Sequence, residues 1–159
     1  MHISIIQIGK TKTSFVKEAE KEYLKRLEAF AKVEVTTLRE SPVPESANKQ
    51  LRDRSREAEG KAILEALPKS SYVIVLDESG RSFDSVEFAN QLKKIRDFEG
   101  GRITFVIGGP FGLSDHVKTR GNLLLSFSTF TFTHEMIRFL LMEQLFRAHT
   151  ILANKTYHY

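Results

Sequence analysis

Histidine, arginine and tyrosine residues in the last third of the chain have the types and spacing to act on an anionic or weakly acidic ligand. His134 and Arg138 are four residues apart, which makes them neighbours on one face of a helix. The start of a helix that carries both side chains would suit a phosphate or an anionic base. Tyr157 and His158 stand at the chain end, where residues are usually unordered. An aromatic ring and an imidazole at that place predict a tail that folds over an active site.

Three glycines come directly after a short run of β-branched and aromatic residues. Residues 103–107 are typical of a buried strand, and Gly108, Gly109 and Gly112 follow it. Glycine tolerates positive φ and lets another group approach the backbone closely. A tight turn without a ligand is the alternative, although three clustered glycines exceed what a turn needs. The spacing matches neither a P-loop nor a dinucleotide-binding fingerprint.

Hydroxyl and aromatic residues alternate in the segment that precedes His134. An exposed loop has little reason to carry three phenylalanines, so the segment is expected to line a pocket or an interface. The alternative is a strand extension with Ser and Thr on its solvated face. Together with the glycines, the segment puts polar groups beyond two strand ends, where open α/β folds bind ligands. Its members are Phe127, Ser128, Thr129, Phe130, Thr131 and Phe132.

The elements that must position these residues alternate between strands and helices. Apolar periodicity predicts strands at 2–8, 33–38, 72–76, 103–107 and 122–127. It predicts helices at 14–32, 48–67, 114–120 and 133–152, and one from Asp84 or Ser85 to the stop at Gly100 and Gly101. Three strands are apolar throughout, which favours a single α/β domain, residues 1–159, around a largely parallel sheet.

Several local features follow from the same patterns. Ser46 is expected to cap the second helix, whose first half is almost all polar, and residues 77–81 are expected to turn. Inward-facing stripes are expected in the first helix (Phe15, Ala19, Tyr23, Leu27, Phe30, Ala31) and the third (Val86, Phe88, Ala89, Leu92, Ile95, Phe98).

The last helix has apolar residues on more than one face, which is too many for a helix that packs on a core with one side only. This predicts an obligate homodimer built on that helix. The apolar residues are Met136, Ile137, Phe139, Leu140, Leu141, Met142, Leu145 and Phe146.

Size and composition are those of an ordinary globular domain. The chain has 159 residues and no cysteine, which excludes disulfides, thiolate metal sites and a cysteine nucleophile and fits a reducing cytosol. No apolar run is long enough for a membrane span, and no signal-peptide core precedes the first strand, so a cytoplasmic protein without a membrane partner is expected.

The net charge of +4 is mild, but the basic residues cluster. Seven Lys or Arg stand against four Glu between Lys10 and Lys32, and six stand against three acids from Arg102 onward. These patches are compatible with a phosphate-backbone partner whose contacts would be salt-sensitive. A solvated charged surface explains them equally well on charge alone.

An ordered set of short motifs resembles one known family over the whole chain. The set comprises Ile107-Gly108-Gly109-x-x-Gly112-Leu113, Leu125-Ser126-Phe127-Ser128, His134-x-x-x-Arg138, Glu143-Gln144-x-x-Arg147-Ala148 and the terminal Tyr157-His158. It is similar to the small SPOUT-class methyltransferases that modify N3 of a pseudouridine in large-subunit (23S) ribosomal RNA. Thr133 stands where the family usually has proline, and Tyr159 where it usually has a basic residue.

The resemblance implies a deep trefoil knot, a homodimer in which the final helices pack together, and S-adenosylmethionine as cofactor without a metal. It makes Leu76 one wall of an adenine pocket and implies that residues 127–132 wrap the cofactor, largely through main-chain groups, beside Gly108 and Gly109. The implied partner is ribosomal RNA or the ribosome.

Methyl transfer to N3 requires the acceptor to lose a weakly acidic proton. Arg138 is expected to stabilise the resulting anion, and His134 or His158 to accept the proton near neutral pH. Arg138, Tyr157 and His158 are expected to serve the nucleotide more than the cofactor. An ion pair with Glu135 would give Arg138 a structural role instead, as one with Glu143 would for Arg147.

Two other functions compete with this one. A non-catalytic RNA-binding module would use the basic patches alone, and the glycines and phenylalanines would then be structural. A phosphotransferase is disfavoured because the chain has neither a P-loop nor an Asp/Asn cluster for a metal.

Overall fold

Strands and helices alternate along the chain as the periodicity predicts. The computed structural model describes residues 1–44 and 46–157. In chain order the elements are β1 (His2–Ile8), α1 (Ser14–Leu27), β2 (Lys32–Leu38), α2 (Lys49–Ala66), β3 (Tyr72–Ser82), α3 (Ser85–Phe98), β4 (Arg102–Ile107), α4 (Asp115–Arg120), β5 (Leu123–Ser126) and α5 (His134–Leu152).

The five strands form one sheet in the order β2-β1-β4-β3-β5, and every neighbouring pair is parallel. Most of β1, β4 and the first half of β3 are buried, which is why their sequences are nearly continuous apolar runs rather than alternating ones. The prediction of an α/β fold around a largely parallel sheet is confirmed.

Helices cover both faces of the sheet. Alternate residues of β1 point to opposite sides, with Ile5 in one apolar cluster and Ile6 in the other. The first cluster is closed by α1, α3 and α5, and the second by α2 and α4. The loops that follow β3, β4 and β5 therefore leave the sheet between two helical layers.

β3 is longer than predicted. The sequence predicts a turn at residues 77–81, but the strand continues to Ser82, which pairs with Ser126 of β5 after a register shift beyond Leu76. Gly80 permits this pairing, because an added Cβ would lie 2.6 Å from the carbonyl carbon of Leu124. The extension fixes the end of β5 directly before the aromatic loop.

Side-chain caps set the starts of α2, α3 and α5. Asp84 and Thr133 cap α3 and α5 as predicted. The prediction for α2 is wrong: Asn48, not Ser46, is the cap, and its side chain accepts a hydrogen bond from the Leu51 amide at 3.0 Å. Asn48 is the cap because it is the residue with extended backbone directly before the first helical turn.

Both predicted helical stripes are only partly buried. α1 ends at Leu27 rather than at residue 32, because residues 28–31 turn into β2. Phe15 at the start of α1 is exposed, and so are Val86 and Phe98 in α3, with Phe98 at 83%. These side chains lie at helix ends or edges, beyond the width of the sheet that the middle of each helix covers.

Candidate active site

A cavity of about 780 Å³ opens where β3, β4 and β5 reach their C-terminal ends. Leu76 belongs to its wall, as do the glycine loop 108–113 and the segment 125–134. All the residues predicted to bind a cofactor line it except Thr129. The remaining ones are Leu76, Gly108, Gly109, Phe127, Ser128, Phe130, Thr131 and Phe132.

The glycine loop is tight in its own right. A Cβ on Gly108 would lie 2.8 Å from Cγ of Leu113, and one on Gly109 would lie 2.9 Å from Oε2 of Glu59. Gly112 has φ of 77° and donates its amide to the carbonyl of Gly109 at 3.1 Å. The turn alone therefore requires glycine at these places, and it also brings bare backbone to the cavity surface.

The aromatic loop is not a strand extension, because β5 ends at Ser126. The Ser126 hydroxyl donates to the carbonyl of Ser128 at 3.0 Å, and the Ser128 hydroxyl accepts from the amide of Phe130 at 3.0 Å. These bonds hold a turn that leaves Phe130 80% exposed at the cavity mouth. A large apolar side chain in that position is available to cover a ligand.

An ion pair that the sequence did not reveal forms part of the cavity wall. Nζ of Lys118 lies 2.7 Å from a carboxylate oxygen of Asp77. Burial alone would raise the pKa of Asp77, but hydrogen bonds from Lys118 and Ser79 hold it below its ordinary value. An acidic residue directly after an apolar strand is the one sequence feature that points to this ion pair. The same residue also fits the predicted turn at residues 77–81.

His134 lies at the cavity, at the first turn of α5. Burial lowers the pKa of this imidazole, and the nearby charge of Arg138 lowers it further. The ring is therefore neutral at pH 7 and able to accept a proton. Its predicted role as proton acceptor stays a prediction.

Arg138 does not line the cavity of its own chain, and its predicted contact with the nucleotide stays a prediction. It is fully buried and donates to the Thr11 hydroxyl at 2.9 Å and to the carbonyl of Ile8. Thr11 in turn donates to Glu20 at 2.8 Å. Arg138 therefore ties α5 to the loop between β1 and α1, and helical spacing could not reveal partners so distant in sequence.

Glu135 does not pair with Arg138 either. Its two carboxylate oxygens accept the amides of Lys12 and Thr13 at 2.9 and 3.0 Å. The first turn of α5 thus fixes the same loop from two sides. The order of this loop depends on residues next to the candidate proton acceptor His134.

The predicted tail residue Tyr157 lies in a second polar cluster on the outer part of α5. Its hydroxyl is 3.2 Å from that of Tyr23 and 3.4 Å from Glu143, which also forms the predicted ion pair with Arg147 at 2.6 Å. The Tyr157 hydrogen bond to Tyr23, together with burial, raises the pKa of Tyr157 to about 12. His158 lies outside the described residues.

The two clusters are separate within one chain. Glu143 is nine residues beyond His134 in α5, a distance along the helix of about 14 Å at 1.5 Å per residue. Tyr157 therefore approaches the middle of α5 and not its first turn. The structure does not bring Tyr157 to the cavity of its own chain.

Residues 1–44 and 46–157 hold neither a candidate metal site nor a membrane-spanning helix. No three His, Cys, Asp or Glu side chains converge there as metal ligands. No helix in those ranges is long and apolar enough to cross a membrane.

Comparison with known proteins agrees with this architecture. A family model described as "Predicted SPOUT methyltransferase" matches residues 1–158. A protein of Pseudothermotoga lettingae named "Ribosomal RNA large subunit methyltransferase H" is 45% identical over 159 residues, which are 100% of both chains. One of the same name from Halothermothrix orenii is 40% identical over 158 residues, 99% of each chain.

A solved structure also shares the fold. The crystal structure of a probable methyltransferase from Bordetella pertussis Tohama I superimposes with a TM-score of 0.58 at 16% identity, over 92% of this chain and 93% of that one. Likeness at this identity speaks for the fold alone. The full-length family match and the two relatives carry the assignment: the chain belongs to the SPOUT methyltransferase family.

Proposed function

We propose that the protein transfers a methyl group from S-adenosylmethionine to N3 of a pseudouridine in large-subunit ribosomal RNA, on the ribosome and hence in the cytoplasm. The names of the full-length relatives support ribosomal RNA as substrate. The observation that carries the proposal is the cavity at three strand ends, lined by bare backbone on one side and by a loop of hydroxyl and phenyl groups on the other.

The residues at this cavity fit the cofactor. A volume of about 780 Å³ lies within the range of pockets that enclose small molecules. Leu76 and Phe127 offer apolar surface to an adenine ring, while the backbone at Gly108 and Gly109 offers close polar contact. The cofactor supplies a methyl group on a positively charged sulfur. The trefoil knot implied by the resemblance, which would thread these loops, stays a prediction.

The protein's own part in the reaction is to orient the acceptor and remove its N3 proton. His134 is the candidate base, because it is at the cavity and its lowered pKa leaves it neutral. Phe130 covers the mouth and excludes water. Arg138 acts as a positioning residue, because it and Glu135 hold the loop beside His134 in place.

We propose further that the protein is a homodimer whose tail acts at the partner's cavity. α5 packs against both α1 and α3, yet Met136, Phe139 and Leu140 remain only half-buried. A second copy would bury this apolar surface. It would also bring the Tyr157 cluster of one chain towards the His134 end of α5 in its partner, if the two α5 helices pack in opposite directions.

Calorimetric titration with S-adenosylmethionine, followed by methylation of ribosomes with labelled cofactor, tests the function. We expect stoichiometric binding and one methyl group per ribosome. A protein that binds RNA but no S-adenosylmethionine would instead be the non-catalytic module.

Mixing two inactive variants tests the shared site. Gly108→Val removes the cofactor site, and truncation after Thr156 removes the tail. We expect each to be inactive alone and the mixture to recover activity through mixed dimers, with a dimer seen by light scattering at micromolar concentration. A monomer, or no recovery on mixing, would contradict the proposal.

A further inference from the structure

The first half of α2 projects beyond the sheet instead of packing on it. The buried residues of α2 are Ser55, Glu59, Gly60 and Ile63, so almost none of the contact comes from its first two turns. A helix end of this kind has no role in the core. Arg52 and Arg56 on this half instead lie beside Phe111 of the glycine loop.

Three basic side chains share one face of this projecting half. Lys49, Arg52 and Arg56 follow one another at spacings of three and four residues, which aligns them along the helix. With Phe111 of the glycine loop they line a hollow of about 460 Å³, whose lining also includes Asp53. We call Lys49, Arg52, Arg56 and Phe111 the basic shelf.

The basic shelf is continuous with the cavity. Arg56 and Phe111 line both hollows, so the two adjoin at these side chains. The Arg52 guanidinium lies over the Phe111 ring at 5.6 Å from its centroid, and Arg56 pairs with Asp53 at 2.9 Å. These contacts orient the basic groups beside an aromatic face at the edge of the cavity.

We propose that the basic shelf binds the sugar-phosphate segment of single-stranded RNA that flanks the target nucleotide; this rests on the proposed function. Cationic side chains next to an aromatic ring are the chemistry that holds unpaired strands, through phosphate contacts and base stacking. A nucleotide in the cavity must have a neighbour in the chain. The basic shelf adjoins the cavity, and its positive charge complements the phosphates of the neighbouring nucleotides.

The test reverses two charges without touching the cavity. The variant K49E/R52E changes the shelf, and K93E/K94E on the exposed side of α3 is the control with the same net charge. Three quantities are measured for both: the affinity for S-adenosylmethionine, the affinity for a 12-nucleotide single-stranded RNA across a salt series, and the kinetics of ribosome methylation.

We expect K49E/R52E to bind S-adenosylmethionine as the unchanged protein does. Its RNA affinity should fall about tenfold at low salt, and the salt slope should decrease by about 1.4, since each single-strand phosphate contact contributes about 0.7. KM for ribosomes should rise while kcat stays within about twofold, because flanking contacts act on ground state and transition state alike. The control should change none of these.

Three results would overturn the assignment. Equal losses in the control would mean that only overall charge matters. Unchanged affinity for the RNA oligomer and unchanged KM for ribosomes would mean that the basic shelf contacts neither RNA nor the ribosome. Unchanged affinity for the RNA oligomer with a raised KM for ribosomes would mean that it meets a ribosomal protein. A failure of the proposed function looks different, because the unchanged protein would then methylate no RNA at all.

Discussion

Lys118 and Asp77 form an ion pair of 2.7 Å across the cavity wall, joining α4 to the strand that carries Leu76. Asp77 is well shielded from solvent, so the loss of its partner leaves a poorly compensated charge.

We predict that K118M lowers the free energy of unfolding by about 1–2 kcal/mol at pH 7. The folded-state pKa of Asp77 is below its unfolded value, so the contribution is present above that value and is lost as the pH falls through the folded pKa. Urea titrations at pH 7 and pH 3 check this, with K94M as an exposed control. A difference that is independent of pH would contradict it.

Gly108→Ala should weaken S-adenosylmethionine binding by more than about tenfold, since close backbone approach is what the site requires. The added methyl group would lie 2.8 Å from Leu113 and 3.0 Å from the carbonyl of Gly112, which displaces the loop. Calorimetry measures the affinity. Gly100→Ala is the matched control, because it introduces strain at φ of 76° with no atom within 4 Å. Wild-type affinity in Gly108→Ala would remove this loop from the site.

Arg138→Met should lower the free energy of unfolding by about 3–5 kcal/mol, because Thr11, Glu20 and the carbonyl of Ile8 lose a buried cation. Arg138→Lys should recover part of the loss. Chemical denaturation measures both variants. If Arg138→Met unfolds like the unchanged protein but fails to methylate, Arg138 acts on the nucleotide after all, as the sequence suggested.

Glu135 should give the protein an acid-sensitive contribution to stability. Burial acts to raise the pKa of Glu135. Hydrogen bonds from the Thr13 side chain and from the backbone amides of Lys12 and Thr13 outweigh it and lower the pKa to about 2. The contribution is thus complete above the ordinary value of 4.5 and is lost as the pH falls towards 2.

Glu135→Gln should therefore cost about 1 kcal/mol at pH 6, after allowance for solvent screening, and roughly a quarter of that at pH 2.5, where the folded-state carboxyl is still partly ionised. Glu65→Gln, on the exposed side of α2, serves as control. Denaturation curves at the two pH values decide the question. A cost that grows in acid would show that the carboxylate is not the stabilising form.

Tyr157→Phe should leave S-adenosylmethionine affinity within about twofold and lower turnover by about tenfold or more. The phenyl ring keeps its contact with Phe146 at 4.9 Å between centroids, but the hydroxyl that meets Tyr23 and Glu143 is lost. With a pKa of about 12 that hydroxyl is protonated at working pH and acts as a hydrogen-bond donor. Single-turnover methylation of ribosomes is the measurement. Full activity in a chain truncated after Thr156 would exclude the tail.

Sequence periodicity was sufficient to predict the architecture, because each buried strand or helix can be recognised from the apolar pattern of its own residues. The continuous apolar run of β4 and the caps Asp84 and Thr133 each identified an element without knowledge of its neighbours. The extension of β3 could not be found in this way, since it depends on Ser82 meeting Ser126.

The candidate site shows the same division. Clusters of glycine and of phenylalanine stand out in a sequence, so they pointed to the two loops that line the cavity. The role of Arg138 depends on Thr11, which lies 127 residues away in the sequence, and helical spacing suggested only Glu135 as its partner. The ion pair of Asp77 with Lys118 likewise joins elements that no short motif connects.

The strand order has a consequence for synthesis of the chain. His2 at the start of β1 pairs with Arg102 of β4, so the central strand of the sheet waits for most of the polypeptide to be made. At about 5–20 residues per second, β1 can pair with β2 early, but its other edge spends several seconds without β4. Non-local parallel pairing also slows folding itself. One edge of β1 therefore stays unpaired until β4 leaves the ribosomal tunnel, and mutations that expose β1 further should appear first as aggregation during expression.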